Sequence, residues 1–464
     1  MTHIEKKERS VGGRWKQILY RLKHPNASIL LLITTVLVAI IANSPLAEGY
    51  FKILDWPIIL QVGDFNLFSH QGETMNLLQF ANDVLMVLFF LNIGLEIKQE
   101  SLVGHLSSFK RAMHPVVAAV GGMIIPVLLY LLVCHDATGI KGTAIPMATD
   151  IAFALAIISS IKGVSPMLKT FLATLAVADD IGGILVIALF YTSYINVTML
   201  LFGIAVIAAV YLLGRCGVTH LWAYGLGLIV TWFFFLHSGV HTTLAGVLIG
   251  FVMPVTPKIK TVDMVERLKA SLNLFPEDAL KLARRGVIVL PREQLKVINS
   301  IQTFSNCAVS PAQRMERKIT SMVNYLILPL FAFVNAGISF KGVNMGDLMG
   351  VPLAIFIGLF LGKPIGIFFF SKLYMKLTKS AYPDGMDDKS LIGVSFLGGI
   401  GFTVSLFISS LSFSAPDLAS VLNNAKLGIL LGSAASAIAG WCLLSCYYNN
   451  KNRDQLTAII KEKS

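Results

Sequence analysis

Two adjacent aspartates, Asp179 and Asp180, lie near the middle of a long apolar stretch from about residue 166 to residue 192. That stretch has the length and composition of a membrane-spanning helix. An ionised aspartate at the centre of such a helix costs roughly 2.5–3.5 kcal/mol on membrane-insertion scales. Paired carboxylates at this position therefore predict a functional site whose oxygens bind protons or hard cations.

A lysine lies equally deep in a later apolar stretch. Lys363 is about twelve residues into the run 351–370, too far from either end for its ammonium to reach the headgroups easily. Glycines recur around it at Gly358, Gly362 and Gly366, a spacing that lets a neighbouring helix approach closely. A buried ammonium beside such a stripe predicts a carboxylate partner on the neighbouring helix.

Two apolar spans carry helix-breaking residues, one in each half of the chain. The span 142–161 contains a proline and the polar Asp150, and the span 390–413 contains the sequence GGIG at 398–401. Interrupted spans in both halves are typical of transporters built from inverted repeats, in which discontinuous helices meet near the membrane midplane. Asp150 is expected to compensate helix N-terminal ends there, and Lys363 the C-terminal ends. Close helix packing is the alternative explanation of the glycines.

Composition and charge indicate a membrane protein. The 464-residue chain is 55% hydrophobic and 14% charged, with a mean hydropathy of +0.71, whereas soluble proteins contain about 25% charged residues. The net charge of +12 lies in loops on one side, so it indicates contact with acidic lipid headgroups rather than with nucleic acid. The five cysteines have neither metal-binding nor redox spacing and predict no disulfide framework.

About twelve apolar spans are expected. They are 27–43, 77–98, 112–134, 142–161, 166–192, 197–215, 218–236, 238–254, 320–338, 348–374, 390–413 and 419–447. Lys and Arg concentrate in alternate loops and in both termini, so both termini are expected to be cytoplasmic. No signal-peptide cleavage site ends the first span, which is expected to be a retained helix.

These spans divide the chain into a cytoplasmic N-terminal segment (1–26), a polytopic transmembrane domain (27–447) and a cytoplasmic C-terminal tail (448–464). Within the domain, short β-like runs around Gly63 predict a β-hairpin in the polar segment 45–76. The polar segment 254–318 is expected to be a long cytoplasmic loop. Its Ser310-Pro311 pair predicts a helix start.

Eight motifs together resemble the NhaA family of Na+/H+ antiporters along nearly the whole chain. They are NDVLMVLFF (82–90), IGLEIK (93–98), ATDIAFAL (148–155), DDIGGILVIALFYT (179–192), SGVHTTLAGV (238–247), LILPLFAFVNAG (326–337), GKPIGI (362–367) and GIGFTVSLFI (399–408). That family is itself a standard example of the inverted-repeat, broken-helix fold. The resemblance implies an all-α protein of the bacterial inner membrane, with twelve helices of which the fourth and eleventh are discontinuous and cross near the bilayer centre.

The resemblance also implies the activity and the residues that perform it. The expected activity is exchange of Na+ or Li+ for protons, with no cofactor and no small-molecule substrate other than cations. Asp179 and Asp180 match the essential carboxylate pair, with Asp180 as the direct cation ligand and Asp179 as the partner of Lys363. Thr149 matches a residue that helps to coordinate the ion, and Asp150 matches the charge that compensates the broken helices.

Regulation by pH and dimerisation are further implications of the resemblance. The residues that match the family's alkaline-activation cluster are Glu96, Lys98, Glu100, His241 and Glu316. For His241, a neutral histidine hydrogen-bonded at a helix start is an equal alternative. Gln99 replaces an arginine often found in the family, and the loop 254–318 is longer than usual, so the pH profile is expected to differ. The segment 45–76 matches an external β-hairpin that joins two protomers, which implies a homodimer.

Exchange also follows from the chemistry of these oxygens. Na+ and Li+ are hard cations that prefer oxygen ligands, which Asp179, Asp180 and Thr149 supply. Protons compete with the cation for the same carboxylates, so access that alternates between the two sides gives exchange. If two protons exchange for one Na+, one net charge moves, worth roughly 2.3 kcal/mol per 100 mV. Both aspartates, or one aspartate and Lys363, could release those protons.

Other functions fit part of this pattern. An intramembrane aspartyl protease also places two carboxylates in neighbouring spans, but its Gly-x-Gly-Asp sequence is absent here, so no enzyme is expected. A passive cation channel is disfavoured because Lys363 would repel the cations. A Na+-coupled symporter for an organic solute could use the same fold, and the sequence leaves that alternative open.

Overall fold

The computed structural model describes residues 27–63, 65–70, 73–191, 195–257, 265–266, 292–340, 348–380, 382 and 385–463. The predicted N-terminal segment 1–26 lies outside those residues, as does much of the predicted loop 254–318. The chain divides into two compact units. The first unit comprises Met1–Phe89, Gln99–Ser193 and Val323–Ser464, and the second comprises Phe90–Lys98 and Tyr194–Met322.

The described residues are mostly helical, as predicted. The helices are α1 (Ala27–Ala42), α2 (Ala47–Leu54), α3 (Leu77–Leu102), α4 (Phe109–Val133), α5 (Ile151–Ser160), α6 (Pro166–Phe190), α7 (Val197–Arg215), α8 (Leu221–Ser238), α9 (Thr243–Val252), α10 (Arg292–Ala308), α11 (Pro311–Asn335), α12 (Val351–Thr378), α13 (Asp388–Gly398), α14 (Phe402–Ser412) and α15 (Ala419–Lys463). Short 3₁₀ turns at His105–Ser107, Gly139–Gly142, Ile145–Met147 and Pro416–Leu418 complete the helical part.

The start of α11 and the end of α15 lie in segments for which the sequence made predictions. Helix α11 begins at Pro311, and the Ser310 hydroxyl accepts a hydrogen bond from the Gln313 N–H at 3.3 Å, which confirms the predicted helix start. Helix α15 continues to Lys463, through the predicted tail 448–464. That tail contains neither glycine nor proline, so no residue in it breaks the helix.

The segment 45–76 contains α2 followed by two small antiparallel ladders. Strand β1 (Gln61–Val62) pairs with β2 (Phe65–Asn66), and β3 (Ser69–His70) pairs with β4 (Glu73–Thr74). Gly63 at the first turn has φ +62°, a conformation that glycine adopts without strain. The single hairpin expected here is thus two consecutive short hairpins. Its location outside the membrane and its role in a dimer remain predictions.

Eight described helices are long and apolar enough to cross a membrane, and the number rises to eleven if three bent pairs each count as one span. The pairs bend by 115° between α1 and α2, by 40° between Gly139–Met147 and α5, and by 41° between α13 and α14. The protein is therefore a multi-pass membrane protein. Among the described residues the expected count of twelve is not confirmed, because the apolar run 238–254 holds only the ten-residue helix α9.

Glycines bring α12 close to α4, as the sequence predicts. A Cβ atom built on Gly362 would lie 2.8 Å from Pro126 Cα, and one built on Gly366 would overlap the carbonyl oxygen of Gly121. Such separations exclude any side chain larger than hydrogen. The stripe therefore confirms the predicted close helix approach, and it directs Lys363 towards neighbouring helices of the first unit.

An apolar core joins the start of the first unit to the end of α11. Val38 of α1, Tyr50 of α2, Ala81 of α3 and Val334 of α11 are buried together. The Tyr50 hydroxyl also donates to the Phe333 carbonyl oxygen at 2.7 Å. This packing holds the start of α3 beside the end of α11.

Candidate functional site

The two interrupted spans meet at their breaks within the first unit. Residues 148–150 separate a 3₁₀ turn from α5, and residues 399–401 separate α13 from α14. The Asp150 N–H donates to the Ile400 carbonyl oxygen at 2.6 Å, and the Ser405 hydroxyl donates to the Ile145 carbonyl oxygen at 2.7 Å. Each broken span therefore forms hydrogen bonds with polar groups of the other span near its break.

One carboxylate bonds to the N-terminal ends of both second half-helices. Asp150 Oδ1 accepts from the N–H groups of Ala152 at 3.1 Å and Phe153 at 3.3 Å, at the start of α5. Asp150 Oδ2 accepts from the N–H of Thr403 at 3.1 Å and from its hydroxyl at 2.6 Å, at the start of α14. A negative charge is favourable at a helix N-terminus, and here two helices share it.

The C-terminal ends of the two first halves contact donors. The Lys363 ammonium donates to the Met147 carbonyl oxygen, at the end of the 3₁₀ turn. The Thr149 hydroxyl lies 2.8 Å from the Gly398 carbonyl oxygen, at the end of α13. The structure thus places Asp150 at both N-terminal ends, whereas Lys363 contacts only one of the two C-terminal ends predicted for it. Compensation of the helix ends by these two charges stays a prediction.

Lys363 and Asp179 form a buried ion pair. The Lys363 Nζ lies 2.5 Å from Asp179 Oδ2, and both side chains are 0% exposed. The Thr149 hydroxyl lies 2.6 Å from the same Asp179 oxygen. Thr149 has one hydroxyl hydrogen for two acceptors, so it can satisfy only one of them fully at a time. The structure therefore brings together Asp179, Lys363 and Thr149.

The second carboxylate oxygen of this aspartate has no bonding partner within the described part of the chain. Asp179 Oδ1 is buried and accepts no hydrogen bond there. Buried polar atoms of native proteins usually have a partner, which can be water, a proton or an ion. The site consequently has an oxygen available for a ligand.

Asp180 differs from Asp179 in its accessibility. Asp180 follows Asp179 on α6, but it is only partly buried, whereas Asp179 is 1% exposed. Adjacent helix positions point in directions about 100° apart, which explains the difference. The pair therefore consists of one carboxylate held by an ammonium and one that is more accessible.

The model of a known family, described as Na+/H+ antiporter 1, matches residues 21–444 of this chain. The chain belongs to that family. An Na(+)/H(+) antiporter NhaA from Porphyromonas gingivalis is 48% identical over 442 residues, which cover 95% of this chain and 98% of that protein. Proteins of the same name from Parabacteroides distasonis and Helicobacter pylori are 46% and 41% identical, over 92% and 89% of this chain and 94% and 91% of theirs.

Membership of this antiporter family confirms the resemblance identified from the motifs. It places the protein among transporters rather than among enzymes, and it supports antiport of sodium through transmembrane helices. It gives no support to the symporter alternative. The roles of individual site residues stay predictions.

The residues expected to control the pH response are distributed over both units. Glu96, Lys98, His241 and Glu316 belong to the second unit, and Glu100 belongs to the first. The Lys98 ammonium donates to two carbonyl oxygens at the end of α9. One belongs to Phe251, at 2.5 Å, and the other to Met253, the residue that follows the helix. This contact joins α3 to α9.

His241 contacts a neighbour through its side chain, and Glu316 accepts a hydrogen bond through its backbone carbonyl. His241 Nδ1 lies 2.8 Å from the Thr243 hydroxyl at the start of α9. This contact fits the alternative interpretation of His241 as a histidine that is hydrogen-bonded at a helix start. The Glu316 carbonyl oxygen accepts from the Thr320 hydroxyl at 2.8 Å, one turn along α11. The pH role of these residues remains a prediction.

Several buried polar residues of the first unit were not identified as site residues from the sequence. Thr403 bonds to Asp150, and its position two residues after the GGIG sequence was the available signal. Lys426 of α15 is 7% exposed, and its place within an apolar span was a signal of the same type as for Lys363. Asn335 is 0% exposed, but an uncharged polar residue in an apolar span is too common to be a signal.

Proposed function

We propose that this protein exchanges cytoplasmic Na+ or Li+ for external protons across the bacterial inner membrane by alternating access. The observation that carries the proposal is the buried ion pair of Asp179 and Lys363 beside the contact between two broken helices. The family of Na+/H+ antiporters to which the chain belongs supports the same conclusion.

Asp180 is the first ligand of the arriving cation in this proposal, because it is the more accessible carboxylate. The unpartnered Asp179 Oδ1 and the Thr149 hydroxyl then supply further oxygens, which hard cations prefer. Protons that bind to Asp180 and Lys363 displace the cation. Binding of the two is therefore mutually exclusive, which is the requirement for exchange.

Charge balance makes the exchange electrogenic. Na+ that binds to Asp179 replaces the Lys363 ammonium as its counterion, so Lys363 releases a proton as Asp180 releases another. Two protons then exchange for one Na+, and one net charge crosses the membrane in each cycle. The membrane potential consequently contributes to Na+ export, at roughly 2.3 kcal/mol per 100 mV.

The test uses purified protein in proteoliposomes with an imposed acidic interior and a pH-sensitive dye. We expect external Na+ to collapse the gradient in the absence of any organic solute. Collapse that requires an organic solute would instead favour the symporter. Asp180→Asn is expected to abolish the response, whereas Asp388→Asn retains it, because Asp388 lies away from the site and pairs with Lys372 at 2.6 Å. Wild-type exchange by Asp180→Asn would show that the site assignment is wrong.

A further inference from the structure

A second buried polar cluster lies in the first unit, away from the ion pair. We call Asn82 of α3, Asn335 of α11 and Ser410 of α14 the amide cluster. Asn335 Nδ2 donates to Asn82 Oδ1 at 3.0 Å, and Asn82 Nδ2 donates to the Ser410 hydroxyl at 3.3 Å. All three residues are buried: Asn82 is 7% exposed, Asn335 is 0% exposed and Ser410 is 8% exposed.

One acceptor of the amide cluster is unused. Asn335 Oδ1 is buried and has no hydrogen-bond partner in the described part of the chain. Leaving such a group unpaired is unfavourable, so a buried acceptor of this kind calls for a ligand. Asn82 also belongs to the π-helical segment Ala81–Leu85, and π-helical turns within α-helices occur frequently at functional sites.

Helix α14 connects the amide cluster with the contact between the two breaks. Thr403 at its start bonds to Asp150, and Ser410 lies about two turns further along, which corresponds to roughly 10 Å. Between them, Ser405 is a further fully buried hydroxyl residue. Polar side chains therefore follow α14 from the break to the amide cluster.

An aromatic pair lies about one helical turn from the amide cluster. The rings of Phe331 and Phe407 make an edge-to-face contact with 6.4 Å between their centroids. Each precedes a member of the amide cluster by about one helical turn. Asn335 donates to the Phe331 carbonyl oxygen at 3.2 Å, and Ser410 donates to that of Phe407 at 2.8 Å. Along α14, Phe407 thus lies between the break and the cluster.

We propose that the amide cluster is a second, weak binding site for the transported cation, between Asp180 and the end of α14 that is external in the predicted topology. The inference rests on the proposed exchange function. The ligand is a partly hydrated Na+ or Li+, because the cluster offers amide and hydroxyl oxygens, which suit hard cations. An uncharged ligand set binds weakly, so the ion leaves it readily, as passage through successive sites requires.

The first experiment measures exchange in oriented proteoliposomes, with Na+ supplied to either side. Asn335→Ala and Ser410→Ala are expected to raise the KM for external Na+ about threefold to tenfold and to leave the KM for cytoplasmic Na+ unchanged. Ser409→Ala is the matched control. Ser409 is a fully buried neighbour whose hydroxyl donates at 2.8 Å to Leu406 of the same helix, as Ser410 donates to Phe407, but it does not belong to the amide cluster. This control should retain both wild-type KM values.

A second variant keeps the proposal testable even if the alanine variants fail to fold. Asn335→Asp adds a carboxylate to the amide cluster, and Asp180→Asn removes the main cation ligand. In the double variant, Na+ should raise the melting temperature relative to choline, whereas Asp180→Asn alone should show no such rise.

Unchanged external KM values in Asn335→Ala and Ser410→Ala would overturn the second site. So would the lack of a Na+-dependent melting shift in Asn335→Asp/Asp180→Asn. Either result is compatible with full exchange by the wild-type protein. Failure of the proposed function is seen separately, as a wild-type protein that does not exchange Na+ for protons.

Discussion

Lys363 uses one ammonium group for two contacts of the site. It pairs with Asp179, and it donates to the Met147 carbonyl oxygen at a helix C-terminal end. Both charged side chains are fully buried, and a buried charge without a partner is unfavourable by several kcal/mol. The same contacts therefore stabilise the fold and prepare the carboxylate for its ligand.

Lys363→Met is predicted to lower the free energy of unfolding by about 3–5 kcal/mol, because it leaves the Asp179 charge uncompensated. Adding Asp179→Asn to this variant should recover part of the loss, since no buried charge then remains unpaired. Melting in detergent measures both. Lys372→Met is the control, because Lys372 is 40% exposed and an exposed pair contributes only about 0–1 kcal/mol. A double variant no more stable than Lys363→Met would contradict the prediction.

The charged residues of the site could be predicted from the sequence because charge in an apolar span is costly and therefore rare. Asp179, Asp180, Asp150 and Lys363 all carried that signal. Asn335 did not, because uncharged polar side chains cost much less in a helix interior. Its contact with Asn82 also joins positions far apart in the chain, and no local pattern encodes such a pairing.

The two broken spans act as one element, because Asp150 bonds to the N-terminal ends of both α5 and α14. Close packing of α12 against α4 holds Lys363 beside them. In that helix pair, Gly121, Gly362 and Gly366 allow backbone to meet backbone or proline. The position of the ammonium thus depends on residues that have no polar group of their own.

Gly362→Ala is predicted to destabilise the protein by about 1–3 kcal/mol, the usual effect of overpacking. The added methyl group would lie 2.8 Å from Pro126 Cα, a backbone atom that cannot move independently. Gly225→Ala on α8 is the matched control, since a Cβ atom there meets nothing within 4 Å. The measurement is the melting temperature in detergent. Equal melting temperatures for the two variants would contradict close packing at Gly362.

Glycine, proline and polar residues within apolar runs predicted both breaks, because each weakens helical hydrogen bonding in a recognisable way. The 115° bend between α1 and α2 was not predicted. The π-helical segment Gly358–Gly362, directly before Lys363, was not predicted either. Both depend on how a helix packs against its neighbours, which a hydropathy pattern does not record.

Competition between protons and Na+ determines how the whole transporter responds to pH. Acidic pH protonates Asp180 and Lys363, so the KM for Na+ should rise as pH falls and decrease as pH rises. Two competing protons give a change of about a hundredfold per pH unit where both groups are protonated, and one proton gives about tenfold. Exchange rates against Na+ concentration over roughly pH 6–9 measure this slope. A KM independent of pH would contradict competition.

The arrangement of the chain across the membrane can be tested with Cys216, which is exposed in the short loop after α7. In a variant with serine at the other four cysteines, a membrane-impermeant maleimide should label Cys216 in inverted vesicles but not in intact spheroplasts. The reason is that this loop carries Arg215 and is predicted to be cytoplasmic. Ser414→Cys, placed before α15, should show the opposite pattern. Labelling of both cysteines from the same side would overturn the predicted topology.

The buried ion pair also has a consequence for synthesis of the protein. Asp179 leaves the ribosome well before Lys363, and at roughly 5–20 residues per second the interval is about 10–40 s. Asp150 is likewise synthesised well before its partner Thr403. During this time the first half of the chain must enter the membrane without the partners of its acidic residues. The nascent protein therefore depends on water, lipid headgroups or the insertion machinery until its second half arrives.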